Sequence, residues 1–252
     1  MFYIGKEHVG SKDGRSKADK GPILDWAKRF KELAERTKHP KLREFYEAGA
    51  VAADTPIDQV PMIAMDFETT GIDPSKDDIV SIGLVAMSLN RISLSKSRHW
   101  ILKPRSNLSH KSVCIHGITH SEVETAPDLK RILEELLEIM AGKVIVVHHR
   151  GIERNFLNAA LQTRIREGIE FPVIDTLELE ARLHRRRHQR YLDKLFGRKK
   201  VSIRLAESRS RYNLPHYRPH DALTDALASA ELLQAQVANR FSPDTPVSDL
   251  WK

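Results

Sequence analysis

Ten residues, Met62-Ile63-Ala64-Met65-Asp66-Phe67-Glu68-Thr69-Thr70-Gly71, set the terms for the rest of this chain. An apolar run of this kind reads as a buried strand, and it ends by presenting two carboxylates at the lip of a turn. Strand side chains alternate with period two, so Asp66 and Glu68 share a face while Phe67 points into the core. Two acids side by side at a strand end repel each other unless a cation lies between them. Hard divalent ions with oxygen ligands meet that need. Solvated acids at strand ends are common, so the pair gains meaning only from partners elsewhere in the chain.

The length of 252 residues allows one sizeable domain with an extension, or two small domains. Lys and Arg number 41 against 34 Asp and Glu, so 41 − 34 gives a net charge of +7. That balance favours a polyanionic partner, nucleic acid first. Cys114 is the single cysteine, which excludes an intrachain disulfide and a cysteine-rich zinc site and suits a reducing compartment. No apolar run approaches the ~20 residues that span a bilayer, and the N-terminus lacks the pattern of a signal peptide. The expectation is a cytoplasmic protein with no membrane partner.

Taken in order, residues 1–20 are polar and rich in Gly and Lys, and read as a flexible basic arm. Residues 21–60 read as a helical extension and linker. Pro22 suits a first helical turn, Trp26, Phe30 and Leu33 follow at helical spacing, His39-Pro40 breaks the helix, and Leu42, Phe45 and Tyr46 suggest a second. Within 61–240, the Asp66 strand is followed by strands over 79–86 and 99–102, close enough to pair as hairpins. A helix from Leu129 to Met140, a strand over 143–147, a helix from Glu153 to Ile165 and a strand over 173–175 come next, and then only helices. This order predicts an α/β fold with a mixed sheet. Residues 241–252 read as a C-terminal tail.

Two later stretches supply the partners. His148-His149-Arg150-Gly151-Ile152-Glu153 leaves a central strand and enters a helix, with Glu153 in its first turn. If that strand is a parallel neighbour of the Asp66 strand, both end at the same edge, where sites gather in α/β sheets. Downstream, Pro219 keeps His220 out of a helix, Asp221 suits an N-cap, and Asp225 projects from the first turns among Ala and Leu. On one helix His220 and Asp225 would stand ~140° apart; with His220 on the preceding loop, the imidazole can swing over the site. A polar residue on a packed helix face is costly unless paired, and a metal would pair it.

Asp66-x-Glu68, His148 with Glu153 and Phe156-Leu157, and His220 ahead of Asp225 together resemble the DEDDh (DnaQ-like) 3′→5′ exonucleases. This group includes the proofreading epsilon subunit of DNA polymerase III, RNase T and oligoribonuclease. Val113–Thr119 and Val173–Leu177 match as supporting segments, and the resemblance runs from about Pro61 to Ala238. It implies an RNase H-like five-stranded mixed sheet flanked by helices. It also implies hydrolysis of phosphodiesters with two Mg²⁺ or Mn²⁺ ions held by Asp66, Glu68, Asp225 and Glu153, with His220 as general base. Thr69, Thr70 and, more weakly, His116 would contact the 3′-terminal nucleotide. One departure stands out: the family's second-motif acid is ordinarily Asp, and its usual Asn is His149 here. The longer Glu153 side chain suits a more tolerant ion, tilting preference toward manganese; a weakened site is the rival outcome.

A basic run from Arg182 to Lys200 contains one acid, Asp193. Arg182, Arg186 and Arg190 share a helical face and read as phosphate contacts. The expected substrate is single-stranded DNA with a free 3′ end, cut to nucleoside 5′-monophosphates in repair or proofreading. The alternatives are an RNA 3′-end trimming enzyme of the RNase T or oligoribonuclease type, and a catalytically weakened nucleic-acid binding module. A polymerase or repair partner would have to dock on the N-terminal extension, because the tail offers no long tether.

Overall fold

A computed structural model describes residues 24–106, 108, 110–184 and 201–252. Its centre is a sheet of β1 (Met62–Thr69), β2 (Ile79–Ser88), β3 (Arg91–Ile101), β4 (Val144–Val147) and β5 (Val173–Asp175), in the spatial order β3-β2-β1-β4-β5. The first three strands pair antiparallel, and β4 and β5 run parallel to β1. This is the mixed five-stranded sheet that the strand spacing predicts. Parallel pairing of Met62 with Val144 sends β1 and β4 to the same edge, so the acids of β1 and the turn after β4 meet there. Every residue of β1 except Asp66 is buried, as a central strand covered on both faces requires.

Helices fill the connections: α1 (Trp26–Arg36), α2 (Pro40–Glu47), α3 (His110–His116), α4 (His120–Thr125), α5 (Leu129–Met140), α6 (Arg150–Ile165), α7 (Thr176–His184), α8 (Leu205–Arg211) and α9 (Ala222–Arg240). Local chemistry explains most of the boundaries. Leu24 and Asp25 are not helical, so α1 begins at Trp26 rather than in the turn after Pro22, with the Asp25 carboxylate accepting from Lys28 N at 3.0 Å. Pro40, which ends one helix, opens the next at a position where its missing N–H costs nothing. Thr119 and Glu122 form a capping box at the start of α4. The third strand is far longer than residues 99–102. Its first residues alternate poorly because β3 is the sheet edge and largely exposed, and backbone pairing with β2 recruits them.

The N-terminal helices are part of the main core. Trp26, Phe30, Phe45 and Tyr46 are buried, with Phe30 5.4 Å from Phe45 and 5.2 Å from Tyr46 between ring centroids. The C-terminal residues, expected to form a simple tail, are stitched to the linker before β1. Pro56 bridges Pro246, Val247 N donates to Thr55 O, and Trp251 bridges Ile174 of β5. Val247, Leu250 and Trp251 are buried as a result, because three apolar residues at this spacing fill the end of the core. Both ends converge on Arg154, which follows Glu153. Its guanidinium lies 5.4 Å from the Trp26 ring and donates to Phe171 O at 2.6 Å and to Lys252 O.

Glu180 of α7 fastens the last helices together. Its fully buried carboxylate accepts from Arg211 Nη2 at 2.6 Å, Gln236 Nε2 at 2.9 Å, and Tyr212 Oη and Arg240 Nη2 at 3.0 Å. Burial alone would push this carboxyl up, but the hydrogen bonds from Arg211, Gln236 and Tyr212 and the Arg240 charge hold it below the ordinary glutamate value. A lowered folded-state pKa gives stability that is present above the unfolded value and lost as pH falls through the folded one. E180Q should therefore cost about 2 kcal/mol at neutral pH. In urea titrations the gap to wild type should narrow once pH drops below about 4.3, the ordinary glutamate value.

Candidate active site

The end of β1 carries the first two acids. Glu68 is 3% exposed and Phe67 6%, and a register shift between Glu68 and Thr69 turns the strand end as it leaves the sheet. Asp66 lies opposite Gly83 of β2. That glycine is required by packing: a Cβ there would stand 2.2 Å from Ala222 O in the first turn of α9. The missing side chain lets α9 settle on the sheet and brings Asp225 toward Asp66 and Glu68.

The third acid arrives from the turn between β4 and α6. His149 adopts φ +115°, a region that non-glycine residues rarely occupy, and α6 starts at the next residue. Asp175, at the end of β5, holds that turn. Its Oδ1 accepts from His149 N and its Oδ2 from Arg150 N, both at 3.1 Å, and Oδ1 also takes Leu177 N at 3.0 Å. Glu153 then projects from the first turn of α6, 2% exposed. His148 is not in the site. It is buried, pairs with Thr176 Oγ1 at 2.8 Å and Ile203 O at 3.1 Å, and is pushed down to about 4 by burial, so its ring is neutral. It latches the segment that leads into α8.

The last motif comes from the loop before α9. Asp221 caps the helix by accepting from Thr224 N at 2.8 Å, and His220 sits just outside it at φ +71°. The Asp225 carboxylate accepts from His220 N at 2.9 Å, so this acid also fixes the backbone that carries the imidazole. Arg209 of α8 anchors the rest of the loop. Its buried guanidinium donates to Ala228 O at 2.6 Å, Pro215 O at 2.9 Å and Glu231 Oε2 at 2.7 Å, and lies 4.6 Å from the Tyr217 ring centroid. Tyr217 Oη donates to Glu231 Oε1 at 2.9 Å, closing the set.

The outcome is a tight group of three and two charged neighbours. Donor atoms of Glu68, His220 and Asp225 all lie within 4.8 Å of one another. Asp66 is pushed well up by burial and by the charges of Asp225, Glu68 and Glu153. Burial raises Glu68 to about 7 and raises Glu153 and Asp225 as well. Glu68 Oε1 and Glu153 Oε2 are buried with no hydrogen-bond partner among the described residues. Four acids destabilised by mutual repulsion and burial, with two orphaned carboxylate oxygens, fit hard divalent cations.

The remaining candidates divide. His116 is half-buried and close enough to His220 for its charge to depress that imidazole, and its Nδ1 accepts from Ile118 N at 3.0 Å. Thr69 and Thr70 border the acids, but both hydroxyls are engaged within the loop. Thr69 Oγ1 donates to Gly71 O at 2.6 Å, and Thr70 Oγ1 meets Asp77, Ser106 and Asp78 N. Arg182 is tied to the C-terminal segment, donating to Asp249 O at 2.6 Å. Arg186 and Arg190 lie outside the described residues.

The exonuclease family model matches residues 63–233. The chain belongs to this family. A DNA polymerase III subunit epsilon of Rickettsia prowazekii (strain Madrid E) is 31% identical over 185 residues, covering 71% of this chain and 75% of that protein. A PolC-type DNA polymerase III of Thermotoga petrophila is 29% identical over 179 residues. This chain spans only 12% of that relative's length. Among solved structures, the nuclease domain of 3'hExo, a DEDDh family member bound to rAMP, aligns with TM-score 0.60 at 16% identity, covering 75% of this chain and 96% of that one. Exonuclease X in complex with 5' overhanging duplex DNA aligns with TM-score 0.56 at 18% identity, covering 75% and 98%. At these identities the two structures establish the shared fold.

R209M should leave the helices in place and free the loop that carries His220. We expect kcat to fall at least tenfold with KM changed less, and far-ultraviolet circular dichroism to match wild type. Kinetics equal to wild type would remove Arg209 from this positioning role.

Proposed function

We propose that this chain is a divalent-metal-dependent 3′→5′ exonuclease that hydrolyses phosphodiesters from the 3′ ends of single-stranded DNA and releases nucleoside 5′-monophosphates. The observation that carries this reading is the convergence of Glu68, His220 and Asp225 within 4.8 Å, with Asp66 and Glu153 as charged neighbours. Asp66, Glu68 and Asp225, supported by Glu153, would hold two ions, Mg²⁺ or Mn²⁺. Bound there, the ions supply charge neutralisation at the attacked phosphoryl group and its leaving oxygen.

His220 accepts the proton of the attacking water. Burial pushes its imidazole down to about 4, so the ring is neutral and able to take a proton at neutral pH. The negative charge of an arriving phosphate opposes that shift and moves the ring toward the range a general base needs. Its aim is set through the backbone, by the bond from His220 N to the Asp225 carboxylate. As the new P–O bond forms, the bond from phosphorus to the upstream O3′ breaks and O3′ takes up a proton from solvent, leaving a 3′-hydroxyl on the shortened strand and a 5′-monophosphate. Thr69 and Thr70 shape the loop that borders the 3′-terminal nucleoside, and His116 closes its other side. Arg186 and Arg190 would add phosphate contacts of the kind that give affinity without sequence reading.

A DNA substrate is favoured by the relatives named as polymerase III subunits. An RNA-trimming activity is the second reading, favoured by a fold neighbour described as a 3′-exonuclease recognising a histone mRNA stem-loop, with TM-score 0.58. Association with a polymerase or repair protein is a narrower proposal. The aromatic faces of α1 and α2 are turned into the core, so a partner meeting these helices would find mainly polar side chains.

Digestion of a 5′-labelled single-stranded DNA and its RNA counterpart in Mg²⁺, Mn²⁺ or EDTA, beside D66A, tests the proposal. We expect a ladder shortening from the 3′ end of DNA, dependent on metal and reduced at least a thousandfold in the variant. Binding without turnover in either metal would make the chain a binding module instead. E153D should shift the ratio of Mg²⁺ to Mn²⁺ activity toward Mg²⁺ by severalfold, because the shorter side chain relaxes its reach into the site. An unchanged ratio would remove Glu153 from control of metal choice.

A further inference from the structure

Glu68 has a neighbour across the sheet that belongs to none of the motifs. In the antiparallel register of β1 and β2 it stands directly opposite Ser81, so the two side chains share a face. Ser81 is fully buried, and its other cross-strand partner is the apolar Ile101 of β3. Its Oγ lies 2.8 Å from Nε2 of His99, an exposed residue of β3 that pairs with Gly83 on the same face. Gly83 has no side chain to intervene, which lets an imidazole on the edge strand lean across to a hydroxyl in the strand beside β1. Glu68 Oε1, on the other side of Ser81, is buried with no hydrogen-bond partner among the described residues.

We propose that His99, acting through Ser81, is a positioning residue for the carboxylate of Glu68. A serine hydroxyl carries one proton and two lone pairs. When Nε2 of His99 bears a hydrogen, as it does in one neutral tautomer and in the imidazolium, it donates to Ser81. The hydroxyl proton is then released toward the carboxylate opposite. Without that donor the hydroxyl gives its proton to the ring, and Glu68 Oε1 faces a lone pair. Burial alone does not choose between the two oxygens of a glutamate, whose side chain has several torsions to fix. A hydrogen bond from Ser81 to one oxygen leaves the other for the cation shared with Asp225. The imidazole also bears on the N-cap of α9. Burial would raise Asp221, but hydrogen bonds from Thr224, with the His99 charge added, hold it below the ordinary aspartate range. His99 thus faces both the serine behind Glu68 and the cap of the helix that carries Asp225.

This role rests on the metal-dependent reading above, and metal binding separates the two. Mn²⁺ affinity is read without turnover, from the electron paramagnetic resonance signal of the free ion. H99L removes the ring donor at an exposed position, S81A removes the hydroxyl, and H99Q offers an amide N–H in place of the ring N–H. We expect H99L and S81A to weaken Mn²⁺ binding about tenfold, as the loss of an outer hydrogen bond to a metal ligand does. Turnover of an oligothymidylate should fall by a similar factor in kcat, with KM changed less. H99Q should recover most of both. The double variant S81A/H99L should be no worse than S81A, because His99 acts through the hydroxyl. Mn²⁺ binding in H99L equal to wild type, or losses in H99L that simply add to those in S81A, would overturn the inference while leaving the exonuclease intact. H99Q as weak as H99L would equally overturn it. Should S81A fail to fold, H99L and H99Q, altered at the exposed sheet edge, decide alone. A wild-type protein that neither binds Mn²⁺ nor shortens DNA would overturn both readings.

Discussion

The structure turns on electrostatic repulsion gathered on purpose at one edge of a sheet. Asp66 and Glu68 leave β1 on one face, and parallel pairing of β1 with β4 brings Glu153 to the same edge. The absent side chain of Gly83 lets α9 press close enough to add Asp225. Each of these acids is held in a state that disfavours its own charge. A fold has no reason of stability to assemble such a group, and burial makes the repulsion stronger. The arrangement becomes favourable when cations occupy it, which links the chemistry of the site to the stability of the sheet edge.

Much of the surrounding structure restrains that edge. Asp175 holds the strained turn at His149, the His148 latch connects it to α8, and Arg209 fixes the loop that carries His220. Arg164, 6% exposed on its side chain, joins the far end of α6 to Asp78 and Asp128 at 2.8 and 3.0 Å. The end of α6 is thus fixed to the start of β2 while its beginning presents Glu153. Arg154 adds a further restraint, meeting Trp26 of α1 and the Lys252 carbonyl. The N-terminal helices and the C-terminal segment, which carry no chemistry of their own, are thereby coupled to the residue next to Glu153.

The fold and the acids were legible because they rest on local patterns. Strand periodicity around Asp66, the strand-to-helix turn before Glu153 and the Pro219–Asp221 cap each act over a few residues, and each places one side chain. What stayed hidden depends on partners distant in sequence. Arg209 lies in a run that also holds Arg204 and Arg211 and looks like a solvated basic face, yet its acceptors are at Pro215, Ala228 and Glu231. Glu180 resembles any helix glutamate until α8 and α9 close over it. The extent of β3 was unreadable for another reason: an edge strand is defined by backbone pairing, and its exposed side chains carry no apolar alternation. The threonines after Glu68 were candidates through the resemblance alone, and the engagement of their hydroxyls depends on the loop over residues 71–78 and on Ser106.

If the carboxylates of β1, α6 and α9 form a cation site, their repulsion costs the protein stability until it is filled. Thermal unfolding of wild type and D66N, each in EDTA and in Mn²⁺, tests it most directly. In EDTA, at pH above the ordinary aspartate range, D66N should melt higher than wild type, because removing one charge relieves its neighbours. In Mn²⁺ the order should reverse, with wild type gaining several degrees and D66N little. A wild-type protein indifferent to Mn²⁺, together with a D66N variant that melts lower in EDTA, would mean that these carboxylates do not form a cation site.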